Sequence, residues 1–254
     1  MQKIVNVLGI SLRYQSDDGE IPAIADLSMD VAEGEFLSIV GPSGCGKSTL
    51  LSVLAGLLPP DAGQVLLQGD PITGPHPAVG LMPQRDALLP WRTVRSNVLL
   101  GQDVSHSRNC EAEAYADALL SAYGLSGFAQ KYPSELSGGM RQRAALIRTL
   151  ATQPALLLLD EPFSSLDYQT RITVAADIHR IIKQQQKTAV MVTHDLSEAL
   201  SVSDRILVLS RRPASVKRIF VSDFGPDVPP LARREHPAFA AAFEQLWREL
   251  DVHV

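Results

Sequence analysis

Hydrophobic and polar positions alternate at the start of the chain. Ile4, Leu8, Ile10, Leu12 and Tyr14 share one side of a period-two pattern, which predicts an opening strand. Ser16 to Gly19 reads as a polar turn, and Ala23 to Val31 as a second strand region closed by Glu33-Gly34. The pattern then changes to short, unbroken apolar runs. Glu35 to Val40, Val79 to Met82, Ala155 to Leu159, Thr188 to Val192 and Arg205 to Ser210 read as strands, and runs of this kind are buried on both faces of a parallel sheet. Gly63 to Gly69 is a further short strand between turn residues. Helical spacing appears over Leu50 to Leu57, Glu111 to Tyr123, the segment after Ser137 (Ala144, Ile147, Leu150 and Ala151 on one face), Gln169 to Gln185 (Ile172, Ala175, Ile178 and Ile182) and Leu196 to Leu200. Two early strands before a strand-and-helix alternation predict an α/β fold. A mainly parallel sheet with flanking helices is accompanied by a small N-terminal antiparallel sheet.

The tail changes character from Asp223 onward. GPDVPPLARR reads as a Pro-rich linker, and Pro237 to Leu250 as an amphipathic helix with Phe239, Phe243, Leu246, Trp247 and Leu250. Docking on the domain and contact with a partner are both open for that helix. Composition narrows the picture modestly. A length of 254 residues with 45% hydrophobic content suits one large domain, or a core with a subdomain. A net charge of −5 gives no basic excess to point to nucleic acid. Cys45 and Cys110 form neither a metal nor a disulfide framework, as expected in a reducing cytosol. The first ten residues do not read as a signal peptide, and the apolar runs are too short to span a bilayer, so a membrane role is expected to come through a partner.

The chemistry is concentrated in Gly41 to Thr49, GPSGCGKST, between a strand and a helix. It fits the phosphate-binding loop pattern. Gly41, Gly44 and Gly46 let the backbone approach a polyphosphate, Lys47 supplies charge for the β- and γ-phosphates, and Ser48 offers a hydroxyl to Mg²⁺. Asp160-Glu161 ends a buried strand, where two carboxylates are costly unless they meet a cation or donors. Beside a phosphate loop, Asp160 suits Mg²⁺ coordination and Glu161 suits general-base attack of water on the γ-phosphate. Gln84 follows a strand end, where a solvated loop residue and a ligand contact fit equally. Ser137-Gly138-Gly139 opens a helix and reads as an ordinary cap or as a second anion site. His194 follows the C-terminal end of a strand, on the side where Asp160 lies. The other histidines show no metal spacing.

GPSGCGKST, MPQ, LSGGM, LLLLDEP, SSLD and TH, in this order, resemble the ATP-binding subunit of an ABC transporter over Tyr14 to about Ser210. ALLPWRTVRSNV and the PxF…LW tail resemble its nitrate/sulfonate/taurine-type importer subgroup. The resemblance implies a P-loop NTPase domain over 1–225 with a helical signature subdomain at about 86–150, followed by a linker and helix over 226–254. It also implies ATP and Mg²⁺ as cofactors. Gly41, Pro42, Ser43, Gly44, Cys45, Gly46, Lys47, Ser48 and Thr49 would then cradle the nucleotide. Tyr14 matches the aromatic that stacks on adenine, although a strand Tyr could equally be core. Gln84 matches the residue that senses Mg²⁺ and the attacking water. Ser137, Gly138 and Gly139 match the signature covering the γ-phosphate of the opposite subunit, Asp167 the loop crossing between the two sites, and His194 the histidine that positions γ-phosphate and water. Met140 departs from the commonest signature, which has Gln there. Cys45, at a variable loop position, is expected to be open to thiol reagents. The implied partners are a second copy of the chain, integral membrane permease subunits and, indirectly, a solute-binding protein, at the cytoplasmic face of the inner membrane. Nucleic acid is not expected. A soluble ABC-type ATPase not coupled to transport is the alternative.

Overall fold

The computed structural model describes residues 2–17, 19–225 and 228–250. Pro226 and Asp227 of the expected linker, and His253, lie outside them. Strands β1 (Lys3–Ser16) and β2 (Gly19–Ala32) form a long antiparallel hairpin, and β3 (Phe36–Val40) leads to α1 (Lys47–Leu54). There follow β4 (Ala62–Leu67), β5 (Asp70–Pro71), β6 (Val79–Met82), α2 (Val94–Val98), α3 (Leu100–Val104), α4 (Cys110–Ala122) and α5 (Gly138–Ala151). The second half contains β7 (Leu156–Asp160), α6 (Tyr168–Gln184), β8 (Thr188–Val192), α7 (Leu196–Val202), β9 (Arg205–Leu209), β10 (Val216–Val221), α8 (Pro230–Glu235) and α9 (Ala238–Glu249).

Two sheets result. One is four-stranded in the order β2-β1-β4-β5 and antiparallel; the other is six-stranded in the order β10-β9-β3-β8-β7-β6. The second sheet is parallel except for its edge strand β10. Its apolar runs are explained by burial on both faces. In β7, Leu157 and Leu159 pack with α5 and α6 residues such as Ile147 and Ile178. Leu156 and Leu158 instead join Leu50 and Leu54 of α1 and the inner face of the antiparallel sheet, including Val5 and Leu27. The residues joining β6 to β7 contain the helices α2–α5.

Some boundaries differ from those the sequence predicts. The first helix begins at Lys47 rather than Leu50 and stops before Leu57, because Gly56 takes φ 70° and ends it. The Leu57 N–H donates to Ser52 O and the Gly56 N–H to Val53 O, the pair of bonds that satisfies a helix's last carbonyls. In α6, Val174 and Ile181 are buried with Ala175, Ile178 and Ile182, while Ile172 is only half-buried. Strand β10 was hidden by its exposed edge position, where charged residues are ordinary. The expected linker contains a short packed helix, α8. Pro230 suits a first helical position, and Arg233, 1% exposed, donates to the carbonyls of Ser203, Val228 and Gly225. Helix α9 docks: Leu246 is buried, with Phe239, Phe243 and Leu250 packed beside Leu196 and Leu200 of α7. Trp247 stacks on Phe243 and stays half-exposed.

Cys45 corrects an expectation. Its side chain is 1% exposed, packed with Leu50 and Leu209, and burial pushes its thiol pKa up, so little nucleophilic thiolate forms. Cys110 is exposed. A thiol reagent on the native protein is therefore expected to label Cys110 and spare Cys45, and to reach both after denaturation. A Cys110→Ser variant that still labels fast when native would contradict this.

His179 yields a second expectation. It lies on α6 against the Phe36 ring, its Nε2 lacks a partner, and burial, reinforced by the charges of Arg233 and Lys183, lowers its pKa from 6.5 to about 4. The folded state thus holds His179 neutral while the unfolded chain protonates it. Its contribution is present above pH 6.5 and is lost as pH falls toward 4, by at most about 3 kcal/mol. His179→Phe should reduce the drop in urea midpoint between pH 7 and pH 5. An identical drop in wild type and variant would refute it.

Candidate functional site

Register in the parallel sheet assembles the site. Ile39 of β3 pairs with Val192 of β8, and Val192 pairs with Asp160 of β7. The chain continues past these three strand ends into the phosphate loop, Thr193-His194 and Glu161, so all three groups emerge at one edge of the sheet, where ligands of open parallel sheets bind. Gly46, the N-cap of α1, has φ 121°, and a Cβ there would lie 3.0 Å from Ala23 O and 3.3 Å from Ala214 Cβ. Glycine is therefore required both by the turn and by the close approach of two other segments. The buried Lys47 ammonium donates to Gly41 O at 2.8 Å and Pro42 O at 2.9 Å.

A cavity of about 290 Å³ opens over this loop, lined by Tyr14, Ala23, Ser43, Gly44, Gly46, Lys47, Ser48, Thr49, Glu161 and Arg212. Tyr14 is 38% exposed at its wall, with its hydroxyl 3.1 Å from Thr49 Oγ1, so it is not a core side chain. Cys45 lies beneath the loop rather than in the cavity.

The polar groups form one connected set. Ser48 Oγ donates to Asp160 Oδ1 at 3.3 Å, and burial raises the Asp160 pKa, with the Glu161 charge adding to it. Glu161 sits at φ 42°, an unfavourable backbone region for a residue with a side chain, and its N–H donates to Val192 O. Its Oε2 accepts from Gln84 Nε2 at 3.2 Å and lies 3.1 Å from His194 Nδ1. Gln84 Nε2 also reaches Ser164 Oγ. The His194 loop is held from below: Thr193 Oγ1 donates to the buried Glu198 carboxylate at 2.6 Å, while Asp195 caps α7 through Ser197 N and Glu198 N. Burial pushes the Glu198 pKa up, opposed by the Thr193 hydrogen bond.

Ser137, Gly138, Gly139 and Asp167 are not brought to this cavity. Ser137 is exposed and caps α5 by accepting from Met140 N. A Cβ on Gly139 would fall 2.9 Å from Val174 Cγ2, so that glycine lets α5 approach α6. Asp167 caps α6, and the hydrogen bonds from Thr170 hold its carboxyl below the usual range. Two arginines of α5 tie the segment after Gln84 to this helix. Arg141 Nε donates to Asp86 Oδ2 at 3.1 Å, and Arg148 donates to Ala87 O and Asp86 O.

Arg212 belongs to none of the motifs. Its signal was its place, in a turn just past the C-terminal end of parallel strand β9, the same sheet edge as the phosphate loop. Among the described residues, no cluster of three or more His, Cys, Asp or Glu could hold a metal ion. Ser48 and Asp160 nevertheless fit the hard-oxygen chemistry of Mg²⁺, which binds through one or two carboxylates plus substrate phosphates.

The comparisons agree with this geometry. The family described as ABC transporter matches residues 24–164. An uncharacterised ABC transporter ATP-binding protein, YtlC of Bacillus subtilis, is 45% identical over 94% of this chain and 92% of its own length. The taurine import ATP-binding protein TauB of Roseobacter denitrificans is 37% identical over 95% of this chain and 92% of its own. Among solved structures, the ATP-binding cassette MJ0796, a dimer in a post-hydrolysis state with ADP and Pi, superposes with a TM-score of 0.73 at 29% identity, covering 85% of this chain and 98% of that one. With a phosphate loop, a carboxylate pair and His194 gathered at one sheet edge, and with relatives matched over nearly their whole length, the chain belongs to the ABC transporter family as an ATP-binding subunit.

Proposed function

We propose that the chain is the ATP-hydrolysing subunit of an importer for a small solute of the nitrate/sulfonate/taurine class. It works as a pair of copies on integral permease subunits at the cytoplasmic face of the inner membrane, with a solute-binding protein acting indirectly. Among the described residues no helix is long and apolar enough to cross a membrane, so membrane attachment rests on the permease. Residues 1–225 form the ATPase domain, with the helical subdomain at about 86–150, and 226–254 the appended tail.

The observation that carries this reading is the composition of the cavity. It holds the phosphate loop and Glu161 but none of Ser137, Gly138, Gly139 or Asp167. This supports a reading in which a single chain carries one half of a reaction chamber in the cavity and the other half at the start of α5. Two copies facing each other complete both chambers.

Within the chamber, Lys47 and the loop N–H groups bind the β- and γ-phosphates, and Tyr14 takes the adenine. Ser48 and Asp160 would hold Mg²⁺, with Gln84 near it; when bound, the ion neutralises phosphate charge. Glu161 accepts the proton of the attacking water, and Gln84 and His194 hold its carboxylate in place. Ser137 and the N–H groups of Gly138 and Gly139 approach the γ-phosphate from the other copy. ATP can favour closure only by binding the closed state better than the open one. It does so because its γ-phosphate meets added charge-assisted donors, each worth about 1.5–3 kcal/mol, which ADP cannot engage. Closure reaches the membrane through the segment after Gln84, clamped to α5 by Arg141 and Arg148, and through Leu88 to Trp91, of which Trp91 is 72% exposed.

Glu161→Gln is expected to give a dimer stabilised by ATP but not by ADP in light scattering, with ATP turnover lowered roughly 10²–10⁴-fold. Equal dimerisation with both nucleotides, or undiminished turnover, would sink the scheme.

A further inference from the structure

The turn between β9 and β10 is part of the nucleotide site, although no motif of the chain includes it. It is locked to β2 beside the phosphate loop. Ala214 N donates to Ala23 O at 2.8 Å, Ala25 N donates to Ala214 O at 3.0 Å, and Ala214 is fully buried. Arg212, in the same turn, is exposed and lines the cavity, and its Nε donates to Pro22 O at 3.1 Å. Of the ten lining residues, two are cations, Lys47 and Arg212.

These cations sit in different settings. Lys47 is buried and directed at the loop carbonyls of Gly41 and Pro42, at the phosphate end. Arg212 is anchored at Pro22, which pairs with Arg13, while the adjoining Ile21 pairs with Tyr14. Its anchor therefore lies next to the Tyr14 wall. A guanidinium anchored through Nε still presents a planar, charged face, and such a face stacks on nucleobases. Arg13 of β1, the residue paired with Pro22, is engaged by Glu20 at 3.0 Å and does not line the cavity.

We propose that Arg212 is a nucleotide-binding residue that packs its guanidinium on the purine base, so that the base is gripped by Arg212 together with Tyr14. The assignment rests on the ATPase reading of the same cavity. It makes Arg212 a source of affinity common to ATP and ADP, unlike groups that meet the γ-phosphate. It also means that the β9–β10 turn, through its bonds to β2, keeps the base end of the site at fixed width.

The test compares the wild-type full chain with Arg212→Ala and Arg212→Gln. Binding of ATP, ADP and inorganic tripolyphosphate is measured by calorimetry or by displacement of a fluorescent nucleotide, and melting is followed without ligand. Gln retains a donor for Pro22 O, so it separates loss of the turn from loss of the charged plane. Both variants should bind ATP and ADP about tenfold more weakly, by the same factor for each nucleotide, and should bind tripolyphosphate as wild type does. In steady-state hydrolysis KM for ATP should rise while kcat holds. Unchanged ATP and ADP affinities, a loss confined to ATP, or an equal loss for tripolyphosphate would each overturn the assignment. A wild-type chain that bound no ATP would instead overturn the ATPase reading beneath it.

Discussion

The site depends on parallel pairing among β3, β8 and β7. Two of these strands are buried along their whole length and the third is buried up to Asp160, so each can occupy only a position with apolar cover on both faces. Leu156 and Leu158 face one core while Leu157 and Leu159 face the other. Because side chains alternate, a slip of one residue would exchange those faces and carry Asp160 and Glu161 away from the phosphate loop. Apolar packing in the interior thus fixes where the charged groups stand at the edge.

Those charged groups stand at the strand ends in full or partial burial. Burial disfavours the charged form of Asp160, Glu161 occupies a left-handed backbone conformation, and the Lys47 ammonium is satisfied by its own loop's carbonyls. Nucleotide with its metal would supply the counter-charges these groups lack. The hydrogen bond from Gln84 to Glu161, and the close contact of Glu161 with His194, tie that local chemistry to the segment that Arg141 and Arg148 clamp to α5. A change at the γ-phosphate position would therefore have a continuous route to α5 and the helices packed against it.

Much of this was legible in the sequence, for identifiable reasons. Unbroken apolar runs located the central strands, since only doubly buried strands tolerate them, and the spacing of GPSGCGKST marked the loop because few other backbones need that glycine pattern. The open choices for Tyr14 and Gln84 turned on tertiary contacts: Tyr14 meets Thr49 and Gln84 meets Glu161 only after residues 35 and 77 apart in sequence are folded together. Other features escaped because the signal was absent or misleading. Cys45 sits in a polar, glycine-rich loop yet turns its sulfur into the core. Arg233 gave a linker-like segment a charge that is in fact buried and satisfies three backbone carbonyls. Arg212 lies in an ordinary turn and acquires its place only through the crossing from β9 to β2.

In the proposed function, one chain carries two separated halves of a chamber that nucleotide joins across two copies. The most direct measurement is a nucleotide-loaded structure of the Glu161→Gln protein, reading the distance from Ser137 Oγ of one copy to the γ-phosphate bound by the other. Hydrogen-bonding distance, about 3 Å, is expected. A separation on the order of 10 Å or more, well beyond hydrogen-bond reach, in a fully loaded assembly would contradict it.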